Sequence, residues 1–379
     1  MSEPVRLGVV GGGLMGKELL ALTRRWDALI DHPVRPEVVA VADPAPAVAG
    51  WWRQAGVPTV TDDYRRLLDD PAIDVVYVAV PHNLHEQVCL DVIAAGKDLV
   101  GEKPFGIEVD ACERIVAAVA GSACFVRVSS ELPFFPGAQR AFDLVRNGAL
   151  GQVLEVRSGL LHSSDIDRTK PINWKRRRAT CGEGGVMADL GLHAAHLPLR
   201  LGWQPRQVYA LLDDVVQERP GPDGTLVPCD TWDNASLAMQ VDAAEGGRRF
   251  PMMWETKRIA PGQSNTWFFE AYGMDGGVRF STRTPQTMQI FGFLDGEQAW
   301  SEVQPGHRSV WPTVTGAIFE FGFPDALLQM WAAYLAERAG ALGDGFAMAT
   351  PQEALMAHRV FAAALESNRS ESSVAVESG

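Results

Sequence analysis

The stretch Gly8-Val9-Val10-Gly11-Gly12-Gly13-Leu14-Met15-Gly16 decides the fold of this chain. An apolar run, Val5 to Val10, leads into it, and a stretch typical of a helix, Lys17 to Trp26, follows it. In such a unit the glycines allow a tight turn, a close approach of the backbone to a pyrophosphate, and close packing of helix on strand. The sequence therefore predicts a dinucleotide-binding turn. Its predicted contacts are Gly11, Gly13, Leu14, Met15 and Gly16.

Strand and helix signals continue to alternate after this turn. Further buried strands are predicted at Val38 to Ala42, Val75 to Val80 and Asp98 to Val100, with a helix at His85 to Ala95. This repetition indicates a parallel, doubly wound sheet, and such sheets bind ligands beyond the carboxyl ends of their strands. We therefore expect Asp43, Pro81 to Asn83 and Lys103 on one rim with the glycine turn.

Asp43 ends the second predicted strand and bears on the choice of cofactor. A carboxylate there can accept hydrogen bonds from the adenosine ribose hydroxyls, and it would repel a 2′-phosphate. Because no arginine follows it closely, we expect NAD rather than NADP. The interval from the glycines is longer than the usual ~20 residues. We attribute the difference to an insertion from Trp26 to Glu37.

The length of the chain and the change in its polarity pattern predict two domains. Its 379 residues, 46% of them hydrophobic, exceed the size at which one core usually suffices. The later predicted strands alternate in polarity and are separated by Gly, Pro or Asp, which is typical of an antiparallel sheet. These strands are Val153 to Gly159, Gln207 to Val215, Ala235 to Val241, Phe250 to Arg258 and Trp267 to Tyr272.

The predicted α/β architecture has three parts. Residues 1–130 form a Rossmann domain that binds NAD. Residues 131–366 form a second α/β domain, with a large open and mostly antiparallel sheet, for substrate binding and oligomerisation. Residues 367–379 have little apolar content and are predicted to be a disordered tail.

The charge and cysteine content limit the partners. The formal net charge is −13, and nucleic acid or an anionic membrane favours a basic face, so we expect neither as a partner. Five scattered cysteines lack metal-ligand spacing and are expected to be reduced thiols. No leader or membrane span is apparent. We therefore expect a cytoplasmic protein with a small-molecule substrate and no bound metal.

Four motifs occur in a fixed order along the chain. They are GVVGGGLMG at 8–16, VYVAVPHNLH at 76–85, AAGKDLVGEKP at 94–104 and GEGGVMADLGLH at 182–193. Together they resemble the Gfo/Idh/MocA family of nicotinamide-dependent oxidoreductases over nearly the whole chain. The resemblance implies a Rossmann domain followed by an open-sheet α/β domain, in dimers or tetramers. It also implies oxidation or reduction of a secondary alcohol on a sugar, inositol or related ring.

The resemblance implies roles for single residues. Lys103 matches the family's EKP lysine, which contacts the reacting hydroxyl, while Asp189 and His193 match its DxGxH motif. Imidazole titrates near operating pH, so His193 is the expected general base and Lys103 would stabilise the alkoxide. Asp189 would bind a substrate hydroxyl or orient His193, whereas His196 is expected to pack. The remaining predicted cofactor contacts are Pro81, Asn83, His85, Glu102, Lys103 and Trp174.

A basic stretch, Arg168 to Arg178, reads RTKPINWKRRR without an acidic residue. It can clamp an anion, because arginine forms bidentate pairs with carboxylate, sulfonate or phosphate. An alternative is a solvated basic loop that serves solubility or the cofactor pyrophosphate. The first interpretation predicts an anionic sugar as substrate. The predicted substrate contacts are Lys103, Lys175, Arg176, Arg178, Asp189 and His193.

Three functions remain open. The first is an NAD-dependent dehydrogenase that takes a hydride from a ring carbinol, at C3, of a sugar or glycoside. The second is an NAD-requiring glycoside hydrolase, for example a sulfoquinovosidase, acting by transient C3 oxidation, elimination, water addition and re-reduction. The third is a regulatory protein without turnover. The presence of both Lys103 and His193 disfavours this last function.

Overall fold

The computed structural model describes residues 4–242, 248–306, 309–315 and 321–377. The helices are α1 (Leu14–Thr23), α2 (Pro46–Gln54), α3 (Arg65–Leu68), α4 (His82–Ala94), α5 (Val109–Ala120), α6 (Pro136–Arg146), α7 (Arg178–Cys181), α8 (Val186–Arg200), α9 (Phe323–Arg338) and α10 (Pro351–Ser370). Short 3₁₀ turns lie at Trp26–Ala28, Leu132–Phe134 and Trp174–Arg176. None of the helices in these residues is long and apolar enough to span a lipid bilayer.

The strands divide between two main sheets and one small hairpin. They are β1 (Val5–Val10), β2 (Pro36–Ala42), β3 (Thr59–Thr61), β4 (Val75–Val78), β5 (Asp98–Gly101), β6 (Val126–Val128), β7 (Val153–His162), β8 (Gln204–Asp213), β9 (Glu218–Pro220), β10 (Leu226–Pro228), β11 (Asn234–Asp242), β12 (Phe250–Lys257), β13 (Asn265–Gly273), β14 (Gly277–Ser281), β15 (Met288–Leu294), β16 (Glu297–Val303) and β17 (Val374–Ala375). The hairpin consists of β9 and β10.

The first sheet is the predicted parallel Rossmann sheet. Its six strands have the order β3-β2-β1-β4-β5-β6, and every neighbouring pair is parallel. Strand β4 is buried along its whole length, as expected for a strand covered on both faces. The carboxyl ends of β1, β2, β4 and β5 share one rim. The doubly wound fold predicted from the glycine turn is confirmed.

The second sheet is mixed but mostly antiparallel, as predicted. Within the described residues it has nine strands in the order β16-β15-β14-β13-β7-β12-β11-β8-β17, and β7 and β12 are the one parallel pair among them. Exposed and buried residues alternate along β8 and β11. Helices α8 and α10 pack on this sheet. One face is therefore covered and the other is open.

Helix α9 belongs to the second half of the chain but packs on the Rossmann sheet. The Trp331 ring meets Tyr77 edge to face, with centroids 5.3 Å apart. Arg338 Nε lies 2.6 Å from Asp98 Oδ2. The Val128 amide donates to the carbonyl oxygen of Ala349 at 2.8 Å. The boundary predicted at residue 131 therefore marks where the chain leaves the first domain, but not where that domain's structure ends.

The C-terminal residues differ from the predicted disordered tail. Helix α10 continues to Ser370, and β17 pairs with β8. Ser367 is buried, and its Oγ accepts the Ala210 amide hydrogen at 3.0 Å. Val376 is also buried. For the described residues 367–377 the prediction of disorder was wrong, because a two-residue strand is too short to leave a polarity pattern in the sequence.

Candidate active site

The glycine turn after β1 forms an open cradle at the start of α1. Gly11 has φ +94°, and a Cβ there would lie 2.2 Å from the Ala79 carbonyl oxygen. A Cβ on Gly16 would lie 2.6 Å from the Gly11 oxygen. Gly13, in contrast, has no protein atom within 4 Å of the position of such a Cβ. A pyrophosphate can therefore approach the first amides of α1, whose N-cap has no side-chain partner.

Asp43 lies beside this cradle. Its Oδ2 accepts the Gly12 amide hydrogen and its Oδ1 accepts that of Ala45, both at 2.9 Å. Each oxygen keeps a further lone pair for a ribose hydroxyl. Leu14, which is largely exposed, and the half-buried Met15 begin α1. The open cradle and the carboxylate together fit the pyrophosphate and ribose of NAD.

The loop after β4 gives its residues different surroundings. His85 is fully buried, and its Nδ1 and Nε2 lie 2.7 and 2.8 Å from the carbonyl oxygens of Pro104 and Val80. It ties the two rim loops together, so the predicted direct contact of His85 with the cofactor does not fit the structure. Pro81 is half-buried and Asn83 is exposed at the start of α4. Both remain predicted cofactor contacts.

Trp174 connects the second domain to this loop. Its ring meets His82 edge to face, with centroids 4.7 Å apart. The Lys175 ammonium lies 5.6 Å from the Trp174 ring centroid. His82 Nδ1 lies 3.1 Å from the Cys181 carbonyl oxygen. Trp174 therefore lies between the domains and stays a predicted cofactor contact.

Lys103 and Asp189, which are 86 residues apart, are in direct contact. Strand β5 ends at Gly101 and delivers Lys103 to the rim, while Asp189 lies in the first turn of α8. Lys103 Nζ donates to the Asp189 carbonyl oxygen at 2.6 Å and to Oδ1 at 3.0 Å. The first and second domains therefore meet at the residues predicted to carry the chemistry.

Three cations surround the Asp189 carboxylate. Besides Lys103, Lys175 Nζ lies 2.9 and 3.0 Å from its two oxygens, and Arg258 Nη2 lies 3.3 Å from Oδ2. Arg258 was not predicted as a site residue, although it is the last residue of a predicted strand. An antiparallel pattern does not reveal which strand ends meet the site. His162 at the end of β7 was also not predicted, although Asp189, Lys103 and Lys175 are near enough for their charges to act on its imidazole.

The charges of this cluster follow from its burial and its pairing. Burial favours the neutral form of Asp189, but Lys103, Lys175 and Arg258 outweigh it and hold the pKa of Asp189 well below its ordinary value. Burial also opposes the charge on Lys103, yet Asp189 and Glu102 raise the pKa of Lys103. Lys103 is therefore an ammonium ion at neutral pH.

His193 lies one helical turn after Asp189 and is buried. Burial, followed by the charge of Lys103, lowers the pKa of His193 well below its ordinary value. Its Nδ1 lies 3.4 Å from Ser130 Oγ, and its Nε2 lies 3.9 Å from Glu131 Oε1. The imidazole is therefore neutral near pH 7 and free to accept a proton.

Two buried carboxylates complete the cluster. Glu102 accepts a hydrogen bond from the Tyr77 hydroxyl at 2.6 Å, and Glu131 is only 5% exposed. Sequence reasoning predicted Glu102 but missed Glu131 and Ser130. The signal was present, because the polar run Ser129-Ser130-Glu131 directly follows β6 at the rim where parallel sheets bind ligands.

The basic stretch does not act as one cluster. Arg176 is fully buried and pairs with Asp165 at 2.7 Å and with Asp233. It is a structural cation inside the second domain, which corrects the predicted substrate contact. Arg178 is exposed and pairs with Glu183 at 2.8 Å. Of the arginines and lysines predicted to bind an anion from this stretch, only Lys175 reaches the Asp189 carboxylate.

Two smaller expectations concern residues outside the chemistry. His196 is buried, and its ring centroid lies 4.9 Å from that of Phe346, so it packs as predicted. The five cysteines are free. Within the described ranges, no group of three or more His, Cys, Asp and Glu side chains is arranged to hold a metal ion.

Two family models match the chain on either side of the Lys103–Asp189 contact. One, described as an oxidoreductase family with an NAD-binding Rossmann fold, matches residues 5–130. The other, the GFO/IDH/MocA C-terminal domain, matches residues 138–279. Levoglucosan dehydrogenase of Pseudarthrobacter phenanthrenivorans is 26% identical over 338 residues, which are 84% of this chain and 82% of that protein. Trans-1,2-dihydrobenzene-1,2-diol dehydrogenase of Sus scrofa is 22% identical over 255 residues, which are 64% of this chain and 72% of that protein.

Solved structures show the same fold. Levoglucosan dehydrogenase in complex with NADH has a TM-score of 0.89 and 23% identity and covers 100% of both chains. Its complex with NADH and levoglucosan has the same TM-score and identity and covers 99% of this chain and 100% of that one. The glycine cradle, the rim lysine and both family matches lead to one assignment. The chain belongs to the Gfo/Idh/MocA family of oxidoreductases, with an NAD-binding Rossmann domain followed by the family's C-terminal domain.

Proposed function

We propose that the protein is an NAD-dependent dehydrogenase that oxidises a carbinol, at C3, on the ring of a sugar or glycoside. The observation that carries this proposal is the buried cluster in which Lys103 contacts Asp189 one helical turn from His193. The similarity to levoglucosan dehydrogenase over 84% of the chain supports a sugar as the substrate. Oxidation of the carbinol requires a proton acceptor, and it requires a group beside the cofactor that stabilises the developing oxyanion.

Each of these parts has a residue in the cluster. NAD, when bound, would supply the hydride acceptor. The Lys103 ammonium donates to the substrate oxygen and stabilises the negative charge that develops on it. The neutral imidazole of His193 takes the hydroxyl proton. Asp189 keeps Lys103 charged and fixes its position through two hydrogen bonds.

We further propose that the sugar is anionic. This proposal depends on Lys175 alone and not on the whole basic stretch. Lys175 is the most exposed of the three cations around Asp189, with 39% of its side chain accessible. Lys175→Met should raise KM for an anionic glycoside and leave KM for its neutral analogue nearly unchanged. Arg178→Met is the matched control, because Arg178 pairs with Glu183 instead. Equal effects of Lys175→Met on both substrates would contradict the proposal.

One assay separates the candidate functions. Chromogenic glycosides, neutral and sulfonated, are incubated with and without NAD while NADH absorbance and aglycone release are followed together. NADH accumulation that is lost in Lys103→Met supports the dehydrogenase. Aglycone release with trace NAD and no net NADH would instead favour the redox-neutral glycoside hydrolase. If neither NADH nor free aglycone forms with any glycoside of a broad panel, the proposal of a catalytic function is contradicted and a regulatory protein is favoured.

We also propose that the open face of the second sheet mediates self-association. Large apolar side chains are exposed on its strands, which is unusual for a face that meets only water. They include Tyr209, Leu211, Met253 and Phe293, which the strand register places on one face. Light scattering should give the mass of a dimer or tetramer, and Leu211→Glu combined with Met253→Glu should lower it. A monomeric unmodified chain would contradict this proposal.

A further inference from the structure

We propose that Glu131 is a positioning residue for His193, holding the imidazole in place and balancing the charge it gains with the substrate proton. The inference rests on the proposed dehydrogenase function. It concerns a residue outside the matched motifs, which lies in the segment between β6 and α6.

The segment that carries Glu131 is fixed in place. The Ser129 amide donates to the Gly101 carbonyl oxygen at the end of β5, at 2.9 Å. The Ser130 amide donates to Met330 Sδ of α9 at 3.3 Å. A buried 3₁₀ turn begins directly afterwards. Glu131 therefore lies at the rim on a rigid support rather than on a free loop.

The two ring nitrogens of His193 face consecutive residues of this segment. Nδ1 lies 3.4 Å from Ser130 Oγ, and Nε2 lies 3.9 Å from Glu131 Oε1. Both distances exceed those of strong hydrogen bonds. Contacts of this kind are often long in ligand-free enzymes and shorten when the substrate binds. The arrangement resembles a base oriented by a second group, in which the second group is a carboxylate.

The charges around Glu131 make its ionisation sensitive to pH. The titratable groups that face it are Tyr77 from β4, Glu102 and Lys103 after β5, and His193 from α8. Burial and then Glu102 raise the pKa of Glu131 to about 7, although Lys103 opposes this shift. Glu131 is thus divided between its neutral and charged forms near neutral pH.

The charged form is the one that assists His193. In the proposed step the substrate O–H bond breaks, its proton bonds to a ring nitrogen of His193, and the O–H bonding electrons form the second bond of the carbonyl group as the carbinol C–H bond breaks. NAD, when bound, would accept the hydride that leaves this carbon. The resulting imidazolium lies in a buried site near the Lys103 ammonium, which repels it. A Glu131 carboxylate beside Nε2 offsets this repulsion. Protonation of Glu131 removes the offset, so proton transfer to His193 becomes less favourable as the pH falls through about 7.

The test compares Glu131→Gln with the unmodified chain, first by NMR of the ligand-free protein with labelled histidines. The His193 signals, assigned from their loss in His193→Asn, should shift with a midpoint near pH 7 as Glu131 ionises. Glu131→Gln should abolish this inflection. A surface control, Glu366→Gln, should keep it. An inflection that survives in Glu131→Gln would overturn the proposal, whether or not a sugar substrate is found.

The second readout is the pH profile of NADH formation. For the unmodified chain kcat/KM should fall on the acidic side of about pH 7, whereas Glu131→Gln should lack this limb and be at least about tenfold slower at pH 8. A variant with the full rate and an unchanged limb would contradict the proposal. If Glu131→Gln does not fold, Glu131→Asp takes its place. It should keep the acidic limb and lose rate, because its carboxylate lies further from Nε2; full rate would again contradict the proposal.

Discussion

Asp189 determines the electrostatics of the candidate site because one carboxylate holds three cations. Lys103, Lys175 and Arg258 all lie within 3.3 Å of its oxygens. Breaking a buried ion pair by removing one partner leaves an uncompensated charge and is strongly destabilising. The same residue that orders the site therefore also supports the fold.

Asp189→Asn should accordingly lower the free energy of unfolding by about 3 kcal/mol, since buried cations would lose their counterion. The measurement is urea denaturation at neutral pH. Glu366→Gln is the matched control, because its pair with Arg369 is about half exposed on both sides. This control substitution should lower the free energy of unfolding by less than about 1 kcal/mol. Similar losses in both variants would show that the Asp189 cluster contributes little to stability.

Replacement of Glu131 should have the opposite effect on stability to replacement of Asp189. The folded protein raises the pKa of Glu131 from its ordinary value of 4.5 to about 7. The stability contributed by its neutral form is thus full below pH 4.5 and is lost as the pH rises to about 7. Glu131→Gln cannot ionise, so it should be more stable than the unmodified chain above neutrality by up to about 3 kcal/mol.

Urea denaturation of both proteins in mildly acidic and mildly alkaline buffer checks this expectation. The difference in unfolding free energy should be small in acid and should grow with pH. A constant difference would mean that Glu131 does not ionise within this range. A variant that gains stability while losing rate would show that the buried carboxylate is retained for function.

At the scale of elements, the glycines in the turn between β1 and α1 have different roles. One is needed for packing, and another leaves space for the cofactor. Gly16 packs against the Gly11 carbonyl, whereas Gly13 faces open space. Gly16→Ala should therefore destabilise the protein by about 2 kcal/mol through overpacking. Gly13→Ala should change stability by less than about 1 kcal/mol and weaken NAD binding about tenfold or more, because its methyl group would occupy the approach of the pyrophosphate.

Calorimetric titration with NAD and thermal melts of the two variants measure these effects. The matched pair makes the comparison sharp, since each variant adds one methyl group to the same turn. Unchanged NAD affinity in Gly13→Ala would exclude this side of the turn as the pyrophosphate position.

The short strand β17 closes one edge of the second sheet. Val374 and Ala375 pair with β8, and the Val376 amide donates to the Arg206 carbonyl oxygen at 2.9 Å. Ending the chain after Glu371 should cost about 2 kcal/mol, chiefly from the lost burial of Val376. Hydrogen exchange of β8 should become faster in the shortened protein. No change in either measurement would mean that the pairing is not stable in solution.

At the scale of the whole molecule, the two halves of the chain complete each other. Helix α9 covers the Rossmann sheet through Trp331, and Arg338 pairs with Asp98 on β5. The first domain therefore lacks part of its core when it ends at residue 130. The candidate site is also shared, because Lys103 comes from one domain and Asp189 from the other.

Residues 1–130 expressed alone should not reach a native state. The exposed Tyr77 face should bind hydrophobic dyes, and the fragment should lack a cooperative thermal transition, because the surface that α9 buries would meet water. Circular dichroism and dye fluorescence of the fragment and the full chain provide the comparison. A cooperative unfolding transition in the fragment would contradict this expectation.

Much of the candidate site could be predicted from sequence because its signals are local. The glycine turn, the strand ends at Asp43 and Lys103, and the spacing of Asp189 and His193 each lie within one short segment. The rule that parallel strands bind ligands at their carboxyl ends then predicted one rim for the glycine turn, Asp43 and Lys103. Asp189 and His193 were predicted only through the family resemblance. Local patterns also gave the two-sheet architecture, since polarity alternates differently in buried parallel strands and half-exposed antiparallel ones.

Other features depend on contacts between distant parts of the chain, and only the tertiary structure decided them. Arg258 meets Asp189, Glu131 approaches His193, and Arg176 is buried although Arg177 and Arg178 are exposed. No periodicity records such pairings, because the cost or benefit of burying a charge depends on which partner the fold brings to it. Sequence thus determined the family and the NAD cofactor, whereas folding determined which charged residues lie together in the candidate site.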